Sequence, residues 1–531
     1  MKKWYSLLEV ISFPLKMLFF GTLILGLGDF FLNSNITPFI PITNDYLILL
    51  CTGLKYLGSF LISCFPMLIV IKLLSKRYED SVPAFVGIIS YIVFHVVTMF
   101  VCKTDLPSYY YSNVMGITTT IHINGLGLFG TYSPLVTGLV GSTVVASLTR
   151  WCYLRSRKRF DYGVLSFIDN DSWALISSVV WSVILGIALS FGWPYVIELL
   201  TGIFEFIGSD IYNPANLMVY GMLERILSVL HLQDLIHVPF WFGELGGSWM
   251  DNFGLLYTGD VSVWTALISQ NLDTLGFGRF ITPYYVLNIF AVPGMLLAFL
   301  SLHTDKMERK RYVLFFVLAI LVSANTGIVL PLELFLIVAA PFLFFFHMVA
   351  SGALYAIFAS MSVMLGYTFT GSLNQAMPGT VISIIPYVGD VTYEQTLIYI
   401  LAIGGIYALM YFLVTRLYYK VLSGDFLEVG ANARRKERFI QAVGGIENVR
   451  IINSSLNKVT VHLYDPTKMD NEELLEIGAY RIAETRAGTL IEFGPKSTIL
   501  KDAVRKEMKK YQEEQKAKPV ISDNMFDVEE R

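Results

Sequence analysis

One carboxylate in an interrupted apolar stretch is the first residue whose surroundings indicate chemistry. The stretch SANTGIVLPLELFLIVAAPF, residues 323–342, places Asn325, Thr326 and a proline shortly before Glu333. A carboxylate in sequence this apolar is costly to keep at membrane depth, and such residues usually face a cavity or a ligand pathway. We therefore predict that Glu333 binds a polar ligand, with Asn325 and Thr326 beside it. The structural alternative is that Glu333 caps the following helix while Asn325 and Thr326 satisfy the broken backbone.

A second mixed segment, ERILSVLHLQDLIHVPFWFGELGGSWMD, covers residues 224–251. It interleaves charges, histidines and glycines with apolar residues, and broken segments of this kind are the best pointer to a transporter's binding site in a single sequence. We predict Gln233, Asp234 and His237 as further ligand contacts. The structural alternatives are that Gln233 and Asp234 belong to the core and that His237 donates to a backbone carbonyl. Arg225 and the preceding glutamate are equally compatible with a structural ion pair.

Other residues that could carry chemistry are interpreted as structural. Trp241 and His347 are expected to pack, since each lies in strongly apolar surroundings. No cofactor and no metal site are predicted, because none of the cysteines forms a pair with metal-ligand spacing. The four cysteines are Cys51, Cys64, Cys102 and Cys152.

The composition places most of the chain in a lipid bilayer. Of 531 residues, 54% are hydrophobic and only 15% are charged, and the mean hydropathy is +0.58. A helix crosses about 30 Å of hydrocarbon with roughly 20 residues. We predict a polytopic α-helical membrane protein with about ten transmembrane helices, the first of them a retained helix rather than a signal peptide. The apolar segments are 12–32, 46–74, 83–103, 133–154, 173–201, 281–303, 311–324 continuing through 334–369, and 396–419.

The basic residues indicate orientation. Short loops rich in Lys and Arg are held on the cytoplasmic side, so we expect both termini to be cytoplasmic. The distribution of basic residues does not determine how many times the chain crosses the membrane between residues 205 and 300. A net charge of −3 says little about partners, and no nucleic-acid partner is predicted. The clusters are Lys72 to Arg77, Arg150 to Arg159, Lys306 to Arg311, and Arg434 to Arg438.

Beyond residue 420 the periodicity becomes that of a soluble protein. We predict a 1–420 membrane domain, a 421–433 linker, a 434–511 α+β domain and a disordered 512–531 tail. The expected helices are 434–443, 470–477 and 497–511, and the expected strands are 448–453, 458–463, 480–484 and 488–493.

Several motifs in order resemble the sugar permeases of the phosphoenolpyruvate-dependent phosphotransferase system, glucose superfamily. TGIVLPLEL at 326–334 resembles the family signature T-G-I-T-E-P-I-E-F, and GLVGSTVVASLTRWCYLRSRKRF at 138–160 resembles its Gly-rich helix and basic loop. The resemblance extends over about residues 5 to 505. It implies a membrane IIC domain joined to a cytoplasmic IIB domain, a homodimer, two re-entrant hairpins and a sugar substrate.

The chain departs from the family pattern where the chemistry should be. The family's IIB domain carries a phosphate-accepting cysteine in D-A-C-x-T-R-L, and here Ser455 occupies that position. A serine hydroxyl is a poor nucleophile without a neighbouring base, so no catalytic residue is predicted. In the membrane domain, Val329-Leu330 replaces Thr-Glu of the signature, and Gln233-Asp234 replaces a histidine pair.

We predict that the chain transports a sugar or related polar solute in a bacterial plasma membrane, with its own phosphorelay inactive. Two alternatives are kept. Alternatively, it is a membrane sugar receptor that signals through a cytoplasmic regulatory protein bound to the IIB-like domain. In the third hypothesis it is an active phosphotransferase that uses Ser455 or a separate phosphodonor subunit. Whether the chain is an enzyme is therefore left open.

Overall fold

The fold was analysed in a computed structural model that describes most of the chain. The predicted linker falls mainly on residues 423–430 and the end of the predicted tail on 518–531, and both lie outside the described residues. So do parts of the first two basic clusters, including Lys76, Arg77 and Arg159. The described residues are 2–75, 81–101, 110, 119–123, 128–157, 168–274, 276–302, 306–368, 378–422, 431–485, 488–494 and 497–517.

The chain divides into two compact units. The larger comprises Ser6–Gly294 and Val317–Met410, and the smaller comprises Met1–Tyr5, Met295–Phe316 and Tyr411–Arg531. All the residues predicted to bind a ligand at membrane depth lie in the larger unit. The smaller unit contains the predicted α+β domain.

Helices account for nearly all of the structure before residue 422. They are α1 (Lys2–Leu32), α2 (Asp45–Ser63), α3 (Phe65–Ser75), α4 (Val82–Val101), α5 (Gly138–Ser156), α6 (Asn170–Gly208), α7 (Pro214–Val229), α8 (Asp234–His237), α9 (Asp260–Ser269), α10 (Thr282–Val286), α11 (Val292–Leu302), α12 (Lys306–Thr326), α13 (Leu330–Ala339), α14 (Pro341–Met361), α15 (Val381–Ile384) and α16 (Val391–Leu417).

Short irregular helices and two hairpins complete this part. The π-helical turns are Val238–Phe242, Leu287–Ala291 and Tyr418–Leu422, and the 3₁₀ turns are Glu244–Gly246 and Ile385–Tyr387. The hairpins pair β1 (Thr119–Ile123) with β2 (Leu128–Tyr132), and β3 (Ser248–Met250) with β4 (Leu256–Thr258).

The helix starts follow local sequence signals. Asn44 accepts hydrogen bonds from two backbone N–H groups at the start of α2, and Asp169 accepts one from Ser172 at the start of α6. Asn213 caps α7, whose first residue is Pro214. Asn and Asp are preferred caps because their side chains accept hydrogen bonds that a helix start cannot satisfy internally, and proline is tolerated at the first helical position.

The described residues contain seven helices long and apolar enough to span a bilayer, together with three shorter apolar helices. A polytopic α-helical membrane protein is thereby confirmed. The seven are Val10–Leu32, Asp45–Ser63, Val82–Val101, Asn170–Gly208, Thr282–Leu302, Pro341–Met361 and Val391–Lys420, and the shorter ones are Phe65–Ser75, Tyr312–Thr326 and Leu330–Ala339.

Two predicted spans are divided in the structure. The stretch 46–74 forms α2 and α3, separated at Cys64, because Pro66 has no N–H to continue the helical ladder. The long run from 311 is broken at Gly327, whose φ of +64° is left-handed, and again at Ala340. As a result α13 has only 10 residues.

Two of the short helical pieces cannot cross a membrane. At about 1.5 Å per residue, α13 is about 15 Å long, half of a hydrocarbon layer of about 30 Å. The piece formed by α8 and the π-turn Val238–Phe242 is no longer. These lengths fit the re-entrant segments that the family resemblance implies.

The C-terminal α+β domain is built around one antiparallel sheet. Its strands are β5 (Val449–Ser455), β6 (Lys458–Leu463), β7 (Arg481–Thr485) and β8 (Gly488–Glu492), in the spatial order β5-β6-β8-β7. Its helices are α17 (Ala431–Ala442), α18 (Asn471–Glu476) and α19 (Ser497–Ala517), with a 3₁₀ turn at Ile446–Asn448 and another at Pro466–Lys468.

This domain has a hydrophobic core of its own. Phe439 of α17, Val459 and Val461 of β6, Ile491 of β8 and Val504 of α19 are among its fully buried members. Alternating burial along β6 and β8 follows from the two-residue period of a strand, which sends every second side chain to the core. The strand ends lie within two residues of the predicted ones.

The serines expected between the first two strands lie inside a strand. β5 continues to Ser455, Ser454 pairs with Val459 and Ser455 pairs with Lys458, so the turn consists of Leu456 and Asn457. The backbone carbonyl of Asn457 accepts hydrogen bonds from the N–H groups of Phe493 and Gly494. These bonds anchor the tight turn and let the ladder extend beyond the predicted end.

A salt bridge joins α17 to α18. Arg438 donates to both carboxylate oxygens of Glu473, at 2.5 and 3.0 Å. Hydrogen bonding from Arg438 lowers the pKa of the Glu473 carboxyl. The pair is exposed to solvent, so its contribution to stability is small beside that of the core.

Ile491→Ala tests the separate core of this domain. We expect the substitution to lower the free energy of opening of strands β5 to β8 by about 2–5 kcal/mol, because it deletes a buried side chain and leaves a cavity. Ile451 is the matched control, since it is 43% exposed while Ile491 is fully buried. Hydrogen exchange of the full-length protein in detergent is the measurement. An equal effect of Ile451→Ala would contradict the assigned core.

Candidate functional site

A cluster of charged side chains is buried in the larger unit. We define the buried charge cluster as Glu224, Arg225, His237, Tyr284, Glu333 and His347, all of them buried. It is assembled from α7, α8, α10, α13 and α14, which are far apart in sequence. Two of these elements, α8 and α13, are the short pieces that cannot span a bilayer.

The chain folds locally so that these residues can meet. α7 ends at Val229 with Leu230 as its C-terminal cap, and His231 follows with a left-handed φ of +58°. The carbonyl of Leu230 accepts a hydrogen bond from the Leu139 N–H. After this turn α8 begins and carries His237 back toward α7. Glu333 occupies the first turn of α13, after the break at Gly327.

Arg225 bridges two carboxylates. Its Nη1 donates to Glu333 Oε1 at 2.6 Å, and its Nε and Nη2 pair with Glu224 Oε2. Its guanidinium carbon also lies 5.3 Å from the centre of the Tyr284 ring. The rigid fork of an arginine suits such bridging, because its donors lie in one plane and are weakly hydrated.

Each carboxylate also has an imidazole beside it. His237 Nε2 lies 3.3 Å from Glu224 Oε1, and His347 Nε2 lies 3.2 Å from Glu333 Oε1. The Tyr284 hydroxyl donates to Glu224 Oε1 at 2.7 Å and lies 3.1 Å from His237 Nε2. No backbone N–H is part of this set, so the Glu333 carboxylate is bound by side chains rather than acting as a helix cap.

Ser228 and three aromatic side chains, those of Trp241, Tyr220 and Phe280, lie next to the cluster. The Ser228 hydroxyl donates to Glu333 Oε2 at 2.9 Å. The Trp241 indole stacks on His237 with centroids 4.0 Å apart and planes 9° apart, and its Nε1 donates to the Tyr220 hydroxyl at 3.1 Å. Tyr220 in turn lies against Phe280, with centroids 4.6 Å apart. The arrangement combines charged hydrogen-bonding groups with flat apolar surfaces, as ligand pockets typically do.

Two predicted ligand residues, Glu333 and His237, are brought together in the cluster. Gln233 lies just before α8, half-buried, and its Oε1 has no hydrogen-bond partner within the described part of the chain. Asp234 begins α8 and is exposed. The binding role of all four residues stays a prediction.

Thr326 and Asn325 lie at the end of α12. The Thr326 hydroxyl donates to the Val322 carbonyl at 2.7 Å and accepts from the Ile328 N–H at 3.3 Å. It thus satisfies backbone groups at the break, which is the structural alternative raised by the sequence. Asn325 is half-buried beside it. Their contact with a ligand also stays a prediction.

Four residues of the site were missed or interpreted as packing. Tyr284 has no signal in the sequence, because it lies 60 residues from its partner Glu224. His347 and Trp241 were expected only to pack. Ser228 had a detectable signal, since it follows Glu224 by four residues and therefore lies on the same face of α7.

Ser455, which the family resemblance aligns with a phosphate-accepting cysteine, is 4% exposed and ends β5. Its partner across the sheet is Lys458, whose Nζ lies 5.9 Å from the ring centre of Tyr312 in the same unit. Ser454 is also buried, and its hydroxyl has no hydrogen-bond partner among the described residues. The strand therefore holds the serine inside the domain.

A metal centre is not indicated by the geometry. Within the residues that the structure describes, no three His, Cys, Asp or Glu side chains are grouped so that they could hold an ion. Arg225 is the cation that lies between the two carboxylates of the cluster.

Comparison with known proteins identifies the family. Residues 9–352 match the family model described as Phosphotransferase system, EIIC, a range that includes every member of the buried charge cluster. The chain belongs to this family. The resemblance inferred from the motifs is thereby confirmed.

A curated protein of the same system is similar to this chain. The chain is 27% identical over 403 residues to the PTS system glucose-specific EIICBA component of Staphylococcus carnosus (strain TM300). The match covers 74% of this chain and 55% of that protein, so the chain spans about half of the length of its curated relative.

A solved structure is also similar, with a lower sequence identity. It is the crystal structure of the transporter ChbC, the IIC component from the N,N'-diacetylchitobiose-specific phosphotransferase system. The sequences are 11% identical, the TM-score is 0.33, and the match covers 80% of this chain and 96% of that one.

Arg225→Gln tests the ionic bridge. The substitution leaves two carboxylates buried without their shared cation, and we expect a loss of about 3–5 kcal/mol in the free energy of unfolding. The double variant Arg225→Gln/Glu224→Gln removes one negative charge as well and should recover part of that loss. Thermal unfolding of the purified protein in detergent measures both. A single variant as stable as wild type would show that the bridge does not hold the helices together.

Proposed function

We propose that the chain is a IIC-type permease that carries a sugar or related polar solute across a bacterial plasma membrane. Membership of the EIIC family and the spanning helices support this proposal. The observation that carries it is the buried charge cluster, which lies where two short helical pieces meet the longer helices. Discontinuous helices of this kind form substrate sites in many transporters.

The chemistry of the cluster suits a polyhydroxylated ligand. A sugar hydroxyl both donates and accepts, and it requires partners of both kinds. Glu224 and Glu333 supply acceptors, while Arg225 and the two imidazoles supply donors. The flat ring of Trp241 offers an apolar surface beside them.

The chain's own phosphorelay is proposed to be inactive. A phosphoryl carrier needs an accessible nucleophile, and the thiolate of the family's cysteine is replaced by the hydroxyl of Ser455. Ser455 is buried at the end of β5, and its cross-strand neighbour Lys458 is a cation rather than a base. Transport would then proceed without phosphorylation by the IIB-like domain.

Orientation and assembly are part of the same proposal. Both termini are placed in the cytoplasm, since Arg150 to Arg157 end α5 and Lys306 to Arg311 begin α12, and such basic groups are retained inside. A homodimer is proposed from the family resemblance. The exposed apolar side chains of α6, among them Phe191 and Leu199, offer surface that lipid or a second copy would cover.

A second candidate function is a sugar receptor. It is favoured by one observation: the C-terminal domain keeps a complete sheet and core although its phosphate-accepting position holds a serine. A domain retained without its chemistry can still bind a cytoplasmic regulatory protein. A receptor would bind sugar without moving it, so transport measurements separate the two candidates.

A binding screen tests the assigned site. We expect D-glucose, N-acetylglucosamine or a related sugar to bind the purified protein, and Glu333→Gln to weaken binding at least tenfold because one charge-assisted hydrogen bond is lost. Glu244→Gln is the matched control, since this exposed carboxylate lies in the same segment as His237 outside the cluster. Equal affinity of wild type and Glu333→Gln would remove Glu333 from the site.

Incubation with phosphoenolpyruvate and the general relay proteins tests the third hypothesis. We expect no phosphoryl label on this chain, because Ser455 is a poor and buried nucleophile. The glucose-specific relative of Staphylococcus carnosus serves as the positive control. Label on the chain that disappears in Ser455→Ala would restore phosphotransfer and end the proposal of an inactive relay.

A further inference from the structure

The buried charge cluster has one carboxylate more than it has permanent cations. Glu224 and Glu333 face a single guanidinium, that of Arg225. The remaining members, His237, His347 and Tyr284, are neutral when the imidazoles carry one proton each. An uncompensated charge at this depth is expensive, so the cluster is suited to take up one further positive charge.

Within the part of the chain that the structure describes, Arg225 is the only permanent cation paired with Glu224 or Glu333. The titratable groups that α7 and α14 add around the cluster are the phenols of Tyr220 and Tyr355, which are neutral near pH 7. Asp260 of α9 accepts hydrogen bonds from the backbone N–H groups of Gly278 and Phe280, and the neighbouring Arg279 donates to the backbone carbonyls of Ile211 and Gly276. Asp234 of α8 is exposed. Solvent is then the source of the further positive charge.

The geometry around His237 fits a proton. Its Nε2 lies 3.3 Å from Glu224 Oε1 and 3.1 Å from the Tyr284 hydroxyl. The flat face of its ring stacks on the Trp241 indole, with ring centroids 4.0 Å apart. An imidazolium in this position would be held by a carboxylate on its edge and by an aromatic surface on its face.

We propose that this cluster binds one proton together with the solute, so that the chain is a proton-coupled sugar transporter. The inference rests on the proposed function. A carrier without a phosphorelay needs another energy source to accumulate its solute, and a proton gradient supplies one. Because binding free energies are reciprocal, a proton that neutralises the cluster and strengthens solute binding is itself bound more tightly when solute is present.

Charge neutrality explains why the two would move together. With the proton on His237 the cluster is neutral, and the loaded site can pass through the low-dielectric barrier at less cost. Without the proton it carries a net negative charge, which opposes the same movement. The coupling of proton and solute thus follows from the charges of Glu224, Glu333, Arg225 and a protonated His237.

Uptake of radiolabelled D-glucose into proteoliposomes tests the proposal. The membrane potential is clamped with potassium and valinomycin, and the outside is made one pH unit more acidic than the lumen. We expect accumulation of up to about tenfold, since one pH unit corresponds to a tenfold proton ratio. A pH-sensitive dye in the lumen should report acidification when glucose is added to the wild-type protein.

Two variants locate the proton. His237→Gln keeps a hydrogen-bonding side chain that cannot hold the proton, and we expect glucose to equilibrate without accumulating. His95→Gln is the matched control, because His95 is also buried but lies on α4 outside the cluster. It should accumulate glucose as wild type does. The dye measurement on the wild type keeps the proposal testable if His237→Gln does not fold.

The possible results distinguish a failure of proton coupling from a failure of the proposed sugar transport. Glucose that equilibrates in the wild type regardless of the pH gradient overturns proton coupling and leaves the permease proposal standing. Accumulation driven by a sodium gradient instead overturns the proton as the coupled cation. Absence of any glucose entry under all conditions overturns transport of this probe, and the coupling with it.

Discussion

The bridge from Arg225 to the two carboxylates is the interaction on which the membrane part of the structure depends. It joins α7 to the first turn of α13, and Tyr284 and the two imidazoles extend it to α8, α10 and α14. In a low-dielectric interior a charge that loses its partner is far more costly than a lost apolar contact. The position and orientation of each of these helices are therefore set by the need to keep one guanidinium between two carboxylates.

The same constraint explains why broken helices occur here. α12 ends at Thr326, and Glu333 lies in the first turn of the separate helix α13. The left-handed Gly327 ends α12 and lets α13 begin in a new direction. The freed backbone groups are in part satisfied by the Thr326 hydroxyl. The break is thus a means of placing a carboxylate, with its local cost met by a neighbouring threonine.

The C-terminal domain is stabilised by a different kind of interaction. Its stability comes from an apolar core between one sheet and its helices, and its charged pair Arg438–Glu473 is on the surface. The last residue of β5, Ser455, pairs with Lys458 across the sheet and is buried in the domain.

Composition and periodicity were enough to assign the class of protein, most of the apolar segments and every strand of the C-terminal domain, because those features depend on local sequence. The predicted span 133–154 was not recovered, since α5 is not among the seven described helices that are long and apolar enough to span a bilayer. Motif order was enough to identify the family. Glu333 and His237 were recognisable as unusual, since ionisable residues stand out in apolar sequence. The division of 46–74 at Cys64 was missed even though Pro66 was visible, because a proline can also be accommodated by a kink.

Only the tertiary structure decided which polar residues act together. Tyr284 and His347 look like ordinary members of apolar helices until the packing brings them to Glu224 and Glu333. Asp234, adjacent to Gln233 and similar in chemistry to Glu333, begins α8 and is exposed. Contacts between residues 60 or 108 positions apart are products of helix packing, which no local pattern encodes. The excess of negative charge in the cluster is likewise a property of the assembled site.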